Sequence, residues 1–333
     1  MPPHGVDNGT KLVIQKQVVP IGHDAGACTP VSLFLPYSYG QNPSHAFSLG
    51  ACKHAWMEQG LGRDHAFQCG GQRGMCRMIG VVGQPSVPPQ LFLSFRELAS
   101  QGRYLSADGP GHLDGWGTGW FVRDAQPCVR KAPGPVLDKK SGYIEALARM
   151  QSDHPQIALA HLRKASKGGM GAEDTHPFAA DGWLFAHNGT VDDYERLPVR
   201  THMPGGTTDS ERLFLHLLEQ MDGGVEQGVR RTVERARHLP YASLTFLLTN
   251  GRVLVAYREI GRPDGSTGKE SKRYHTLYVS FQPELCVVCS EPLPFVGGRW
   301  EQLNDGDLLI VSQEATLLHR VNLREQLQPA IRS

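Results

Sequence analysis

From Arg77 onward the chain is a succession of short apolar runs, each stopped by glycine, proline or a polar turn. Runs of this length suit buried strands and fall far below the ~18 apolar residues of a membrane-spanning helix. Segments 77–82, 117–122, 157–162 and 183–186 read as strands. In the last third, 243–249 and 253–257 flank Asn250-Gly251, the strongest short hairpin signal, and 276–281, 285–290, 307–311 and 316–321 follow as further strands. Helical spacing comes in two blocks. Leu91, Phe92, Phe95 and Leu98 follow Pro88-Pro89, and 142–150 reads as a second helix. Later, Thr208-Asp209-Ser210-Glu211 has capping-box spacing before Leu213, Leu217 and Leu218, and 225–239 completes that block. Strands at both ends and helices in two blocks predict an α+β layered domain, with two sheets face to face and helices outside. Residues 261–272 read as a polar surface loop.

The first 75 residues follow no such pattern. They hold nine charged residues against 58 in the remaining 258, and their longest apolar stretch, 31–36, is too short to start a core. Residues 1–75 are therefore expected to be a leader, a propeptide or a mis-assigned start, poorly ordered, with 76–333 as the working domain. Lys plus Arg total 34 and Asp plus Glu 33, so the formal charge of +1 offers no electrostatic case for nucleic acid or an anionic membrane as partner. No basic segment followed by an apolar one opens the chain, and seven cysteines make an odd count. Both features suit a reduced, cytoplasmic setting. Cys286 and Cys289 lie three apart in an expected strand and would face opposite sides, against a chelate or a disulfide. Nothing in the sequence calls for a metal or a cofactor.

Where the regular pattern begins stands Met75-Cys76. A chain starting at Met75 would lose its methionine and leave Cys76 with both a thiol and a free α-amine. Their reference values, ~8.5 and ~7.7–8.0, let the amine accept the thiol proton near neutrality. The plainer reading is a buried core cysteine. Arg163 stands where an expected strand runs out, Asn188-Gly189 at the end of another, and Asp209 at a helix start. Each has an ordinary explanation: a surface ion pair, a tight turn, a helix cap. Together with Cys76 they supply a cation for a carboxylate, an anion for an amine and two donors for an oxyanion.

Several segments in order carry a resemblance. They are Met75-Cys76-Arg77, His112-Leu113-Asp114-Gly115-Trp116-Gly117, His161-Leu162-Arg163 with Ala165-Ser166, and Thr175-His176-Pro177-Phe178. His187-Asn188-Gly189, Thr208-Asp209-Ser210-Glu211 and Ser290-Glu291-Pro292-Leu293 continue the series. In these the chain resembles the stand-alone class II glutamine amidotransferases of the N-terminal nucleophile hydrolase superfamily. The resemblance implies a four-layer αββα sandwich. It implies Cys76 as nucleophile with its α-amine as base, and Asn188 and Gly189 as the oxyanion hole. It further implies Arg163 on the substrate carboxylate, Asp209 on its ammonium, Ser166 and His176 as supporting binders, and Trp116 with Gly117 shaping the pocket.

The implied reaction attacks a γ-glutamyl amide, passes through a thioester and releases glutamate and ammonia. The partner is glutamine or another γ-glutamyl compound, with a separate ammonia-accepting enzyme as a further possibility. A γ-glutamyl peptide or thiol-intermediate hydrolase, and a catalytically silent γ-glutamyl-binding module, are the competing readings. As written, the chain gives Cys76 a peptide nitrogen. Activity through an α-amine requires cleavage before Cys76 or translation from Met75, and the mis-set start is the favoured expectation.

Overall fold

The computed structural model of the chain describes residues 76–103, 111–122, 126–165, 168–261, 274–294 and 296–325. The expected leader, Ser166 and nearly all of the 261–272 loop lie outside the described residues.

The elements run β1 (Arg77–Gly83), α1 (Pro89–Arg96), α2 (Leu98–Gln101), β2 (Gly115–Phe121), β3 (Pro127–Pro133) and α3 (Tyr143–Asp153). Then come β4 (Ile157–Arg163), β5 (Phe178–Ala180), β6 (Trp183–Asn188), α4 (Asp209–Leu218) and α5 (Val225–Ala236). The last part is strand only: β7 (Thr245–Thr249), β8 (Val253–Tyr257), β9 (Tyr278–Gln282), β10 (Leu285–Cys289), β11 (Glu301–Gln302), β12 (Asp307–Ser312) and β13 (Leu317–Asn322). One sheet has seven strands in the order β11-β9-β10-β1-β4-β2-β3, and the other six in the order β13-β12-β8-β7-β6-β5.

Strand periodicity distributes the apolar side chains into three layers. Met78 and Val82 of β1, with Ile157 and Leu159 of β4, meet Leu184, Leu247, Leu254 and Leu309 of the other sheet, forming the core between the sheets. The alternate positions Ile79 and Val81 face outward onto Phe92, Phe95, Tyr143 and Leu147 of α1 and α3. Phe185, Phe246 and Leu248 face outward on the other side, against Leu213, Phe214, Val229 and Val233 of α4 and α5. Two sheets with helices on both outer faces make the expected αββα sandwich. Cys286 packs between the sheets and Cys289 on the helix side, so the two thiols do point apart.

The capping box forms in one direction only. Thr208 Oγ1 accepts the Glu211 N–H at 3.1 Å, but the Glu211 carboxylate turns to the N–H groups of Gly205 and Gly206, at 3.0 and 2.7 Å. That tie fixes the chain entering α4 and so fixes where Asp209 sits. Strands β3 and β5 go beyond the sequence expectation. β3 is an edge strand carrying Pro127, Arg130, Lys131 and Pro133, the residue types that blunt an edge and hide it from an apolar-run search.

Candidate active site

Four chain segments meet at one end of the sandwich: the residue before β1, the end of β4, the end of β6 and the start of α4. β1 and β4 run antiparallel with Arg77 opposite Leu162, which brings Cys76 beside the Arg163-Lys164 exit of β4. β6 ends at Asn188 on the facing sheet.

Cys76 is 8% exposed. Its Sγ lies 3.4 Å from the Lys164 backbone N–H, which donates to it, and 3.5 Å from the Lys164 carbonyl. Its backbone nitrogen donates to Asn188 Oδ1 at 3.0 Å. A backbone N–H can only donate, so this bond fixes which end of the Asn188 amide is oxygen. Nδ2 then points the other way, is buried, and meets no acceptor among the described residues. A buried amide donor left open is costly in a finished core and useful beside a reacting carbonyl.

The cleft around Cys76 is lined by Arg163, Lys164, Asp174, His176, Gly189, Thr208 and Asp209, among others, and encloses about 20 Å³, space for one water molecule. Three larger grooves, of about 540, 620 and 360 Å³, lie away from the thiol. Arg163 and Asp209 are both 3% exposed and present opposite charges to the same cleft. Asp209 is the first residue of α4, where a carboxylate suits the helix dipole, and its Oδ2 accepts the Val191 N–H at 2.7 Å. Gly189 cannot carry a side chain: a Cβ there would stand 2.1 Å from the Ser243 carbonyl and 2.6 Å from His187 Nε2.

Of the residues expected at the site, Cys76, Arg163, His176, Gly189 and Asp209 line the cleft, and Asn188 joins it through its bond to Cys76. Trp116 does not line it. Its ring packs edge-on against Tyr143 at 5.1 Å within the helix-side core, because β2 turns that residue away from the facing sheet. The adjacent Gly117 faces inward instead, and a Cβ there would meet the His176 carbonyl at 2.0 Å.

Of a group of buried histidines at this end of the sandwich, the resemblance implied a role for His176 alone, and both His176 and His187 line the cleft. His112, His161, His176, His187 and His275 are all buried, and all but His275 fall within the motifs quoted above. His187 Nε2 faces the Ser243 carbonyl at 3.0 Å and therefore carries the proton, leaving Nδ1 to accept from Ser210 Oγ at 2.9 Å. His161 Nε2 likewise donates to the His187 carbonyl at 3.3 Å, and its ring lies 4.1 Å from that of His176. Burial holds His112, His161 and His275 down to about 3 and His187 to about 4, with His176 well below its ordinary value. These rings are neutral near pH 7. Burial also pushes the Cys76 thiol up to about 11, against the opposing pull of the Lys164 N–H and the Arg163 and Arg77 charges. A thiol in that range is not a resident thiolate at neutral pH. Among the described residues no group of three or more His, Cys, Asp or Glu side chains is placed to hold a metal ion, and no helix is long and apolar enough to cross a membrane.

The fold has solved counterparts. It is similar to the glutamine phosphoribosylpyrophosphate amidotransferase from B. subtilis complexed with ADP and GMP, with a TM-score of 0.54 and 17% identity, over 74% of this chain and 49% of that one. The match thus spans about half of the solved enzyme and concerns the fold alone. In sequence the chain is 29% identical over 198 residues to YafJ of Escherichia coli (strain K12), a protein assigned as a glutamine amidotransferase, covering 55% of this chain and 72% of YafJ. It is 24% identical over 265 residues to DUG3 of Saccharomyces cerevisiae (strain ATCC 204508 / S288c), similarly assigned, covering 64% of this chain and 73% of DUG3. Residues 75–263, more than half of the chain, match the family of glutamine amidotransferases class-II. The chain belongs to that family, and it is an enzyme of that class.

Proposed function

We propose that the chain is a glutamine amidohydrolase in which Cys76, freed of the residues before it, attacks the γ-glutamyl carbonyl. One observation carries this reading. The Cys76 thiol shares a cleft with a buried guanidinium and a buried carboxylate, while its own nitrogen orients an amide whose donor end is open.

In this reading Arg163 holds the substrate α-carboxylate through its guanidinium fork, and Asp209 holds the α-ammonium. The α-amine of Cys76 takes the thiol proton as sulfur bonds to the carbonyl carbon. Negative charge then gathers on the carbonyl oxygen, where Asn188 Nδ2 and the Gly189 N–H stabilise it. The protonated amine returns its proton to the leaving nitrogen, which departs as ammonia and leaves a γ-glutamyl thioester. Water, deprotonated by the same amine, attacks the thioester and releases glutamate and the thiol. His176 and Ser166 are supporting substrate binders in this reading. The glutamyl group passes to water, the ammonia is released or passes to a separate acceptor enzyme, and the setting is cytoplasmic.

The raised thiol explains why the amine is needed. While Cys76 is joined to Met75 its nitrogen is an amide with no lone pair to offer, and no other base in the reading replaces it. The test pairs ammonia release from glutamine with the N-terminal mass of the active protein. Activity in protein beginning at Cys76 is the expected result. Activity in a chain still carrying Met75 on Cys76 would refute the base. Cleavage of γ-glutamyl peptides without ammonia release from glutamine would reassign the leaving group.

A further inference from the structure

Arg77 and Ser290-Glu291 belong to the quoted motifs and have no role in the chemistry above. They meet directly behind the nucleophile. Arg77 is 1% exposed, and its three guanidinium nitrogens go to three different acceptors. Nε donates to Glu291 Oε1 at 2.7 Å, Nη1 to the Cys76 carbonyl at 2.9 Å, and Nη2 to the Arg103 carbonyl. Glu291 Oε1 also accepts the Arg103 N–H at 2.7 Å, which closes the group. Ser290 Oγ accepts the Met78 N–H at 3.0 Å, so this short stretch after β10 holds two successive residues of β1 by side chains. Gly102 lies against the same pair: a Cβ there would stand 2.5 Å from the Leu98 carbonyl and 3.3 Å from both Arg77 Nε and Glu291 Oε1.

We propose that Arg77, braced by Glu291, is the positioning residue of the nucleophile, fixing the Cys76 carbonyl so that the thiol keeps its place when no residue precedes it. This rests on the reading of Cys76 as an N-terminal nucleophile. A chain terminus frays unless it is tied down, and Cys76 lies outside the β1 ladder, which begins at Arg77. It has three tethers: its nitrogen to Asn188, its sulfur to the Lys164 backbone and its carbonyl to Arg77. The first two involve atoms that exchange protons or form bonds during the reaction. Only the carbonyl tether is uninvolved in chemistry and can persist from thiol to thioester. A lysine in place of Arg77 offers a single point charge and cannot span the three acceptors.

The test compares the parent, Arg77→Lys and the charge-balanced Arg77→Met/Glu291→Gln, each with its N-terminus defined by mass. Steady-state glutamine hydrolysis is read beside the alkylation rate of Cys76 by iodoacetamide, followed by peptide mass. Displacement of a reacting atom by about 1 Å costs about a hundredfold. Both variants should lose about that much kcat, with KM for glutamine unchanged. Their Cys76 should be alkylated faster than the parent's, because a loosened terminus exposes a thiol that is otherwise buried. Folded variants with the parent's kcat and alkylation rate would overturn the proposal. So would a loss carried by KM, or one matched by the unfolded fraction in circular dichroism. If the parent itself releases no ammonia, the proposed function fails, and the alkylation comparison still decides the tether.

Discussion

Replacing Asn188 by aspartate separates the two ends of one side chain. Asn188 is completely buried, its Oδ1 occupied by the Cys76 N–H at 3.0 Å and its Nδ2 open. Aspartate keeps the shape and the acceptor that holds Cys76, and exchanges only the donor for a second oxygen. A donor to an oxyanion is worth about 3–4 kcal/mol in the transition state, so Asn188→Asp should lower kcat by about a hundred- to a thousandfold. The new oxygen also faces developing negative charge, so the aspartate variant should be no faster than Asn188→Ala despite being the closer mimic. KM should move little, because the ground-state carbonyl demands less of a donor than the oxyanion does. The assay is ammonia release at saturating glutamine, normalised to sites counted by labelling Cys76 with a glutamine-like electrophile. An Asn188→Asp enzyme with the parent's kcat, or a loss residing in KM alone, would remove Asn188 from the oxyanion hole.

Arg163→Ala should raise KM for glutamine far more than it lowers kcat, since the carboxylate it holds keeps its charge throughout; initial-rate kinetics separate the two. Gly189→Ala should unfold the cleft or the chain, because its Cβ would need to displace the Ser243 carbonyl from 2.1 Å; a parent-like melting temperature and activity would contradict the packing described. In the chain with Cys76 still amide-linked, alkylation of that thiol should rise about tenfold per pH unit up to about 11, with only about one thiol in a thousand ionised at pH 8; a midpoint near ~8.5 would show the thiol to be unperturbed. The buried histidines set an acid limit. Their folded values lie near 3 to 4, below the ~6.5 of an unfolded histidine, so the unfolded state binds more protons in between and stability falls as pH drops below ~6.5. The four act in the same direction, so the loss accumulates as the pH falls from ~6.5 toward 4. Denaturant unfolding followed by circular dichroism at a series of pH values measures this, and equal stability at pH 6.5 and pH 4.5 would contradict it.

The strands and helices that carry the site were legible because their boundaries are written in residue type. Glycine, proline and Asn-Gly punctuate the apolar runs, and Thr208 and Glu211 mark the start of α4. The assignment of faces was less legible, for a physical reason that β2 makes plain. In a sandwich covered by helices, both faces of a central strand are buried, and every residue from Gly115 to Trp120 is inaccessible. No alternation of polar and apolar residues then tells which parity looks toward the nucleophile. Trp116 and Gly117 were therefore indistinguishable as pocket residues until the register placed Trp116 against Tyr143 and Gly117 against the His176 carbonyl. The same loss of contrast hid the histidines. A polar residue inside an apolar run reads as an exposed position, whereas His187 sits fully inside with a carbonyl and a hydroxyl on its two ring nitrogens, and His161 sits inside with a carbonyl on Nε2 alone. Asn188 obeyed the simpler rule: it ends its strand, where a scaffold stops burying side chains and begins presenting them. Burial on both faces therefore sets the boundary of what the sequence can disclose here, and the candidate groups were readable because they stand where elements begin or end, at the ends of β4 and β6 and the start of α4, although they too are buried.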